Sequence, residues 1–316
     1  MSESPLIEVA EDSLSTIDGE SNVGSSVSRF ASESEEDTDS DSDDEEEAEP
    51  KLKYERLSSD LKAILKKDVA SCLAVHSKFL ILGTHWGVIH ILDAMGNCLP
   101  SRQSQAHTIA INNVSIDHAG EHYASCSDDG RIVVTGLYSD DHAVNFNMER
   151  PVQTIAIDPI FSRANSGRRF MTGVDDRVIM HEKVIFNRYK QEVLCQGEGQ
   201  VTNIKWRGRF VAWVADKGVR VFDVVEMKMI SLIQRPVSCP PNLACPWRIA
   251  WSDQFNLVVS FGDCVKVCVV TKRTAPSRSD NVPEFCVEVR EKNTKKHRKK
   301  ISVFLGEEYV QPGLLG

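Results

Sequence analysis

His118 and His122 flank Glu121 in the stretch His118-Ala119-Gly120-Glu121-His122. The order H-x-x-E-H is that of inverted zinc peptidases. Such a site needs both imidazoles on one face of a helix, so that they meet one zinc ion, with the carboxylate placed to activate a metal-bound water. The neighbouring residues argue against a helix. Gly120 weakens a helix interior, and Asp128-Asp129-Gly130 marks a tight turn shortly afterwards. Ile116 reads as the end of one strand and Tyr123-Ala124-Ser125-Cys126 as the next. The expectation is a polar turn between strands. Zinc hydrolysis by His118, Glu121 and His122 is the alternative function, which metal analysis would separate.

Other reactive side chains are equally poor in site geometry. Nine cysteines are present. Cys126, Cys264 and Cys268 lie in apolar strand-like runs and read as buried, reduced thiols of a cytosolic protein. Cys264 and Cys268 share one strand face, but a zinc site would want a C-x-x-C pair with matching partners. Ser34, Thr38, Ser40 and Ser42 each have an acidic residue three positions downstream, which suits a kinase preferring acidic surroundings. No catalytic residue, cofactor or metal is expected.

Charge divides the chain. Residues 1–50 hold 18 acidic residues and a single basic one, Arg29, whereas the whole 316-residue chain carries −9. The remainder is therefore net positive. Twelve of the 17 residues in 33–49 are acidic, so 1–49 is expected to be a disordered, solvated segment. Residues 290–300 hold seven Lys or Arg. A basic run of this kind can contact nucleic acid or anionic lipid. It lacks interleaved aromatics, so a solvated end is expected over 291–316, and no nucleic-acid partner. Neither a secretory h-region nor an apolar run of membrane-spanning length is visible.

The elements that must position any site are repeated. Five segments share a plan of apolar strand, turn, second strand, polar tight turn and third strand. They end in FLILGTHWGVIHILD (79–93), HYASCSDDGRIVVTG (122–136), RFMTGVDDRVIMHE (169–182), FVAWVADKGVRVFDV (210–224) and NLVVSFGDCVKVCVV (256–270). The last turn positions are Gly87, Gly130, Asp176, Gly218 and Asp263, at spacings of 43, 46, 42 and 45 residues. Turns and strands at this period are the signature of propeller blades. The fold class is therefore all-β: a WD-repeat-like β-propeller over 50–290 with about five recognisable blades, incomplete, behind an acidic tail. Trp206, Trp213, Trp247 and Trp251 fall in strand-like runs and are expected to fill space between blades.

Particular peptides carry a closer resemblance. PKLKYERL (50–57) follows the acidic block. SCLAVHSKFLILGTHWG (71–87), GEHYASCSDDG (120–130), GLYS (136–139), GEGQVTNIKWRGRFVAWV (197–214), GVRVFD (218–223), PWRIAWSD (246–253) and VKVCVV (265–270) then come in order. Together they resemble the vacuolar protein sorting-associated protein 41 family, subunits of the homotypic fusion and vacuole protein sorting (HOPS) tethering complex. The resemblance implies a cytoplasmic, non-enzymatic protein. It would sit peripherally on late endosomes, lysosomes or vacuoles, with other HOPS subunits, a Rab-type GTPase and an adaptor complex as partners. A generic propeller scaffold of another complex is the alternative. In that family a long α-solenoid and a RING-like module follow the propeller. This chain stops at 316, which reads as a truncated or alternatively ended product. KLKYERL is the candidate first strand and FCVEV (285–289) the last, and five blades are expected to leave two open edges.

Overall fold

The computed structural model describes residues 56–57, 59–139, 143–184, 188–234, 246–262, 264–274 and 282–291. The acidic segment with Ser34, Thr38, Ser40 and Ser42, the turn residue Asp263 and most of the basic tail lie outside them.

Five four-stranded antiparallel sheets follow one another along the chain. Blade 1 holds β1 (Ala70–Val75), β2 (Phe79–Thr84), β3 (Val88–Asp93) and β4 (Ser104–Gln105). Blade 2 holds β5 (Ile111–Ile116), β6 (His122–Ser127), β7 (Arg131–Gly136) and β8 (Val144–Asn147). Blade 3 holds β9 (Val152–Ile157), β10 (Phe170–Val174), β11 (Arg177–Lys183) and β12 (Tyr189–Cys195). Blade 4 holds β13 (Asn203–Arg207), β14 (Phe210–Ala215), β15 (Gly218–Asp223) and β16 (Lys228–Ile233). Blade 5 holds β17 (Arg248–Trp251), β18 (Asn256–Phe261), β19 (Cys264–Lys272) and β20 (Phe285–Glu291).

The core is divided among the spaces between neighbouring sheets. The middle strands need both faces apolar, and period-2 geometry sends alternate residues to opposite neighbours. In β14, Phe210, Ala212 and Val214 pack toward blade 5, while Val211 and Trp213 pack toward blade 3. Phe161 and Phe170 fill the space between blades 2 and 3, and Ile81, Ile89 and Ile111 that between blades 1 and 2. Trp213 is fully buried, Trp206 and Trp247 nearly so, and Trp251 donates its indole N–H to the Lys205 carbonyl at 3.0 Å. All four thus fill inter-blade space, as their strand contexts imply.

Inner strands carry the ring from blade to blade. β1 meets β5, β5 meets β9, β9 meets β13, and β13 meets β17. Side chains stitch these contacts: Asn113 accepts from the Ile155 N–H, Ser115 from Ile157 and Thr154 from Ile204. Among the described residues the succession is not closed by comparable packing of β17 on β1, and the propeller is open and incomplete.

One sequence expectation lies mostly outside the described residues and another is corrected. Residues 51–55 of KLKYERL are not among the described residues, and Arg56 and Leu57 are in no strand; the first described strand is β1, and a short helix α1 (Ser59–Leu65) precedes it. Leu61, Ile64 and Leu65 recur at helical spacing after polar Ser59 and Asp60, and the stretch has no β-branched run. Each segment also has a fourth, outer strand that a three-strand plan omits; in blade 5 this is FCVEV (285–289), the expected last strand.

Burial makes the fold sensitive to acid. His181 is fully buried, stacked on Phe170 with ring centroids 4.6 Å apart, and its Nε2 pairs with the Thr172 hydroxyl at 2.9 Å. Burial pushes its pKa down from 6.5 to about 4. Above 6.5 the imidazole is neutral whether the chain is folded or not. Below that, the unfolded chain gains a proton that the folded chain refuses until about 4. Stability is therefore expected to fall as pH drops through this window, by about 1.4 kcal/mol per unit from this group. Denaturant titrations from pH 7 to 4 on wild type and His181→Gln check it; equal slopes would contradict the assignment.

Candidate interaction surface

Because strands alternate direction, every second-to-third-strand turn and every link between blades reaches the same end of the propeller. This end holds Gly87, Gly130, Asp176 and Gly218, four of the five turn positions read from the sequence. Gly87 (φ 80°) and Gly130 (φ 80°) adopt left-handed backbone there, and Gly218 (φ 140°) opens β15. Asp176 does not meet the same demand: Asp175 (φ 52°), one residue earlier, takes the left-handed position. A short acidic side chain that bonds locally tolerates this conformation better than most. In blade 5, Gly262 (φ 58°) takes it, next to Asp263, which lies outside the described residues.

Sequence reading missed the residues that organise this end, which are the turn aspartates. Asp129 accepts from the Thr108 N–H at 2.9 Å, the Arg131 N–H at 2.9 Å and the Thr108 hydroxyl at 3.3 Å. His107 lies within 3.3 Å of Asp129 through Nδ1 and within 2.9 Å of the Ser125 hydroxyl through Nε2. Burial pulls against ionisation of Asp129. The Thr108 and Arg131 amides and His107 outweigh it, and its pKa is lowered. The link entering blade 2 is thus latched to blade 2's own hairpin. Blade 3 repeats the device with Arg150 on Asp175 at 2.9 Å, and blade 4 with the Gln200 N–H on Asp216 at 3.1 Å. Asp176 instead accepts from the Gly197 N–H at 3.0 Å, on the way to blade 4. Arg220 further binds Glu198 and lowers its pKa. The signal was present as an aspartate one or two residues before each turn position in SDDG, VDDR and ADKG.

Removing this latch should be measurable. Asp129→Ala orphans two backbone N–H donors and the Nδ1 of the buried His107, at a cost of about 1–3 kcal/mol. Thermal melting and amide exchange at Thr108 and Arg131 report it. A loss below about 0.5 kcal/mol with protected amides would mean that the link holds itself.

The opposite end carries the histidine pair. His118 sits in the turn between β5 and β6, its N–H bonded to the Pro159 carbonyl, and His122 opens β6. The Glu121 and His122 N–H groups both donate to Asp117 Oδ1, at 2.8 and 3.1 Å. The H-x-x-E-H pattern therefore lies on a β-turn, without the helical face that zinc ligation by that pattern requires. Among the described residues no group of three or more His, Cys, Asp or Glu is placed to hold a metal ion. Cys264 and Cys268 both face the core between blades 4 and 5, and burial pushes the Cys268 thiol up to about 11.

Two arginine–aspartate pairs tie the blades together at this end. Arg169 donates to Asp158 through Nε and Nη2, at 3.1 and 2.9 Å, and its guanidinium lies 5.5 Å from the Trp206 ring of the next blade. Arg209 donates to the fully buried Asp223, lies over Phe285 of blade 5 at 4.6 Å, and has Glu226 and Glu284 within 3.6 and 3.7 Å. Both pairs join adjoining sheets through the ring that each guanidinium covers. What the arrangement offers chemically is rigid presentation of loops.

Comparisons with known proteins match this architecture. The family profile for the Vps41 propeller, described as "Vps42 beta-propeller", covers residues 52–304. The human vacuolar protein sorting-associated protein 41 homolog is 40% identical over 241 residues, 76% of this chain and 27% of that protein. The Arabidopsis thaliana homolog is 37% identical over 221 residues, 70% and 22% of the two chains. The Schizosaccharomyces pombe protein is 29% identical over 223 residues, 71% and 25%. Among solved structures, the Cps50 (Swd1) β-propeller domain of Myceliophteria thermophila superposes with a TM-score of 0.53 at 14% identity, covering 71% of this chain and 72% of that one, a likeness of fold. The chain spans about a quarter of the length of the relatives it matches. With the profile running through all five blades, the chain belongs to the vacuolar protein sorting-associated protein 41 family and matches its propeller region.

Proposed function

We propose that the chain serves in a non-enzymatic subunit of the HOPS membrane-tethering complex, acting as a protein-interaction platform in vesicle transport. The observation that carries this reading is the 40% identity to a vacuolar protein sorting protein across a propeller of five four-stranded sheets. The partners proposed are other HOPS subunits, a Rab-type GTPase and an adaptor complex. The site of action is the cytoplasmic surface of late endosomes, lysosomes or vacuoles, reached peripherally through these partners. Among the described residues no helix is long and apolar enough to cross a membrane. Ser34, Thr38, Ser40 and Ser42 are proposed phosphorylation sites in the acidic segment, where added phosphate would deepen the negative charge.

The test is retention of purified late-endosomal Rab on immobilised chain. GTP-loaded Rab is expected to be held and GDP-loaded Rab released. Equal retention of the two forms, or none, together with no binding to the purified remaining HOPS subunits, would overturn the assignment. Stoichiometric zinc lost on His122→Ala would point to the hydrolase instead.

A further inference from the structure

A groove of about 580 Å³ opens at the turn end of the propeller, where the β2–β3 turn, the link into blade 2 and the β6–β7 turn meet. Trp86, Ile109, Ala110 and Asp128 line it. Trp86 is 69% exposed and Ile109 46%. The other tryptophans with described surroundings fill the spaces between blades; Trp86 fills none.

The backbone that carries the indole is anchored on both sides. The Trp86 N–H donates to Asp68 at 3.3 Å, and its carbonyl accepts from Gln105 Nε2 at 2.8 Å. The same Gln105 nitrogen also donates to the His107 carbonyl at 2.8 Å. A Cβ at Gly87 would come within 2.2 Å of that carbonyl oxygen, so only glycine lets turn and link approach so closely. A large apolar side chain on a fixed backbone gives up little conformational freedom when a partner covers it.

A fixed anion accompanies it. Asp128 Oδ1 accepts from Asn112 Nδ2 at 2.7 Å and from Gln153 Nε2 at 2.8 Å, one donor from blade 2 and one from blade 3. Both donors are neutral amides, and among the described residues Asp128 forms no ion pair. Asp68, Asp176 and Asp216 lie on the same end, also without an ion pair among the described residues. Arg131 and Arg150 stand at this end too, but among the described residues the groove lining holds no arginine or lysine, so an acidic ligand in the groove would meet the Asp128 carboxylate. A cation would meet both the Trp86 ring face and the Asp128 carboxylate.

We infer that this groove docks a peptide segment of a partner protein in which an arginine or lysine adjoins an aliphatic residue. The cation packs on the Trp86 indole and pairs with Asp128, and the aliphatic side chain covers Ile109 and Ala110. Tryptophan and arginine are enriched among the residues that dominate such contacts once the partner has excluded water. The inference stands on the groove alone, whichever complex contains the chain.

The experiment uses the full chain and a fluorescein-labelled hexapeptide alternating leucine with arginine, followed by anisotropy at roughly 0.15 M salt, where diffuse attraction is screened. A second peptide replaces arginine with glutamate. Saturable binding of the arginine peptide is expected, weakened about tenfold or more by Trp86→Ala and by Asp128→Asn, with unchanged melting temperatures. The glutamate peptide should not bind. The inference is overturned if the arginine peptide fails to bind, if both peptides bind equally, or if both variants bind as wild type does. The last result would arise if acidic residues 33–49 alone collected the peptide.

Discussion

Replacing Arg209 by methionine should lower the stability of the chain by about 3 kcal/mol, the low end of the range for breaking a buried ion pair. The side chain of Asp223 is fully buried, and that of Arg209 is 26% exposed. Methionine removes the guanidinium that lies over Phe210 and Phe285, keeps an apolar side chain there, and strands the carboxylate. Asp223 would then keep only the backbone amides of Val225 and Glu226. The double variant Arg209→Met, Asp223→Leu should recover part of the loss, because removing both partners removes the orphaned charge. Urea titration of the three proteins measures the difference. A loss below about 1 kcal/mol for the single variant would show that water reaches Asp223 and replaces the guanidinium.

Trp213→Ala should cost about 3–5 kcal/mol, as for other fully buried rings. Trp213 is 0% exposed, lies 5.9 Å from the Phe222 ring and belongs to the core between blades 3 and 4. Trp86→Ala, at a 69% exposed position, should change stability by less than about 0.5 kcal/mol. Chemical denaturation of both, with far-ultraviolet circular dichroism to confirm the fold, gives the comparison. Similar losses at the two sites would reverse their assigned roles.

The blade period was legible because each hairpin repeats the same physical demands: an apolar middle strand, then a turn needing left-handed backbone. Of the outer strands only β20 was, as FCVEV (285–289). β4 is only Ser104–Gln105, both exposed, and β8 alternates half-buried and exposed residues, so neither shows a contiguous apolar run. The turn chemistry was half legible. Gly87 and Gly130 stand out as residue types, but the demand at the third turn falls on Asp175 rather than Asp176, and only the hydrogen bonds single out Asp129 and Asp216. The Arg209–Asp223 pair was hidden because it depends on register. Phe210 pairs with Asp223 across β14 and β15, which brings residue 209 beside residue 223. Trp86 escaped notice because its exposure is a property of the assembled blades.

Every blade is made of four strands that are consecutive in the chain, and none borrows a strand from another. Each sheet can therefore finish its pairing as soon as its own stretch of chain has left the ribosome, before the next blade exists. Nascent blades should accumulate one at a time, each docking on its predecessor, with no waiting for a distant strand. The same property bears on inheritance. A duplication or deletion of one blade-length cassette changes the arc of the propeller by one sheet and severs no strand pairing. The blade is thus a unit of both synthesis and genetic exchange.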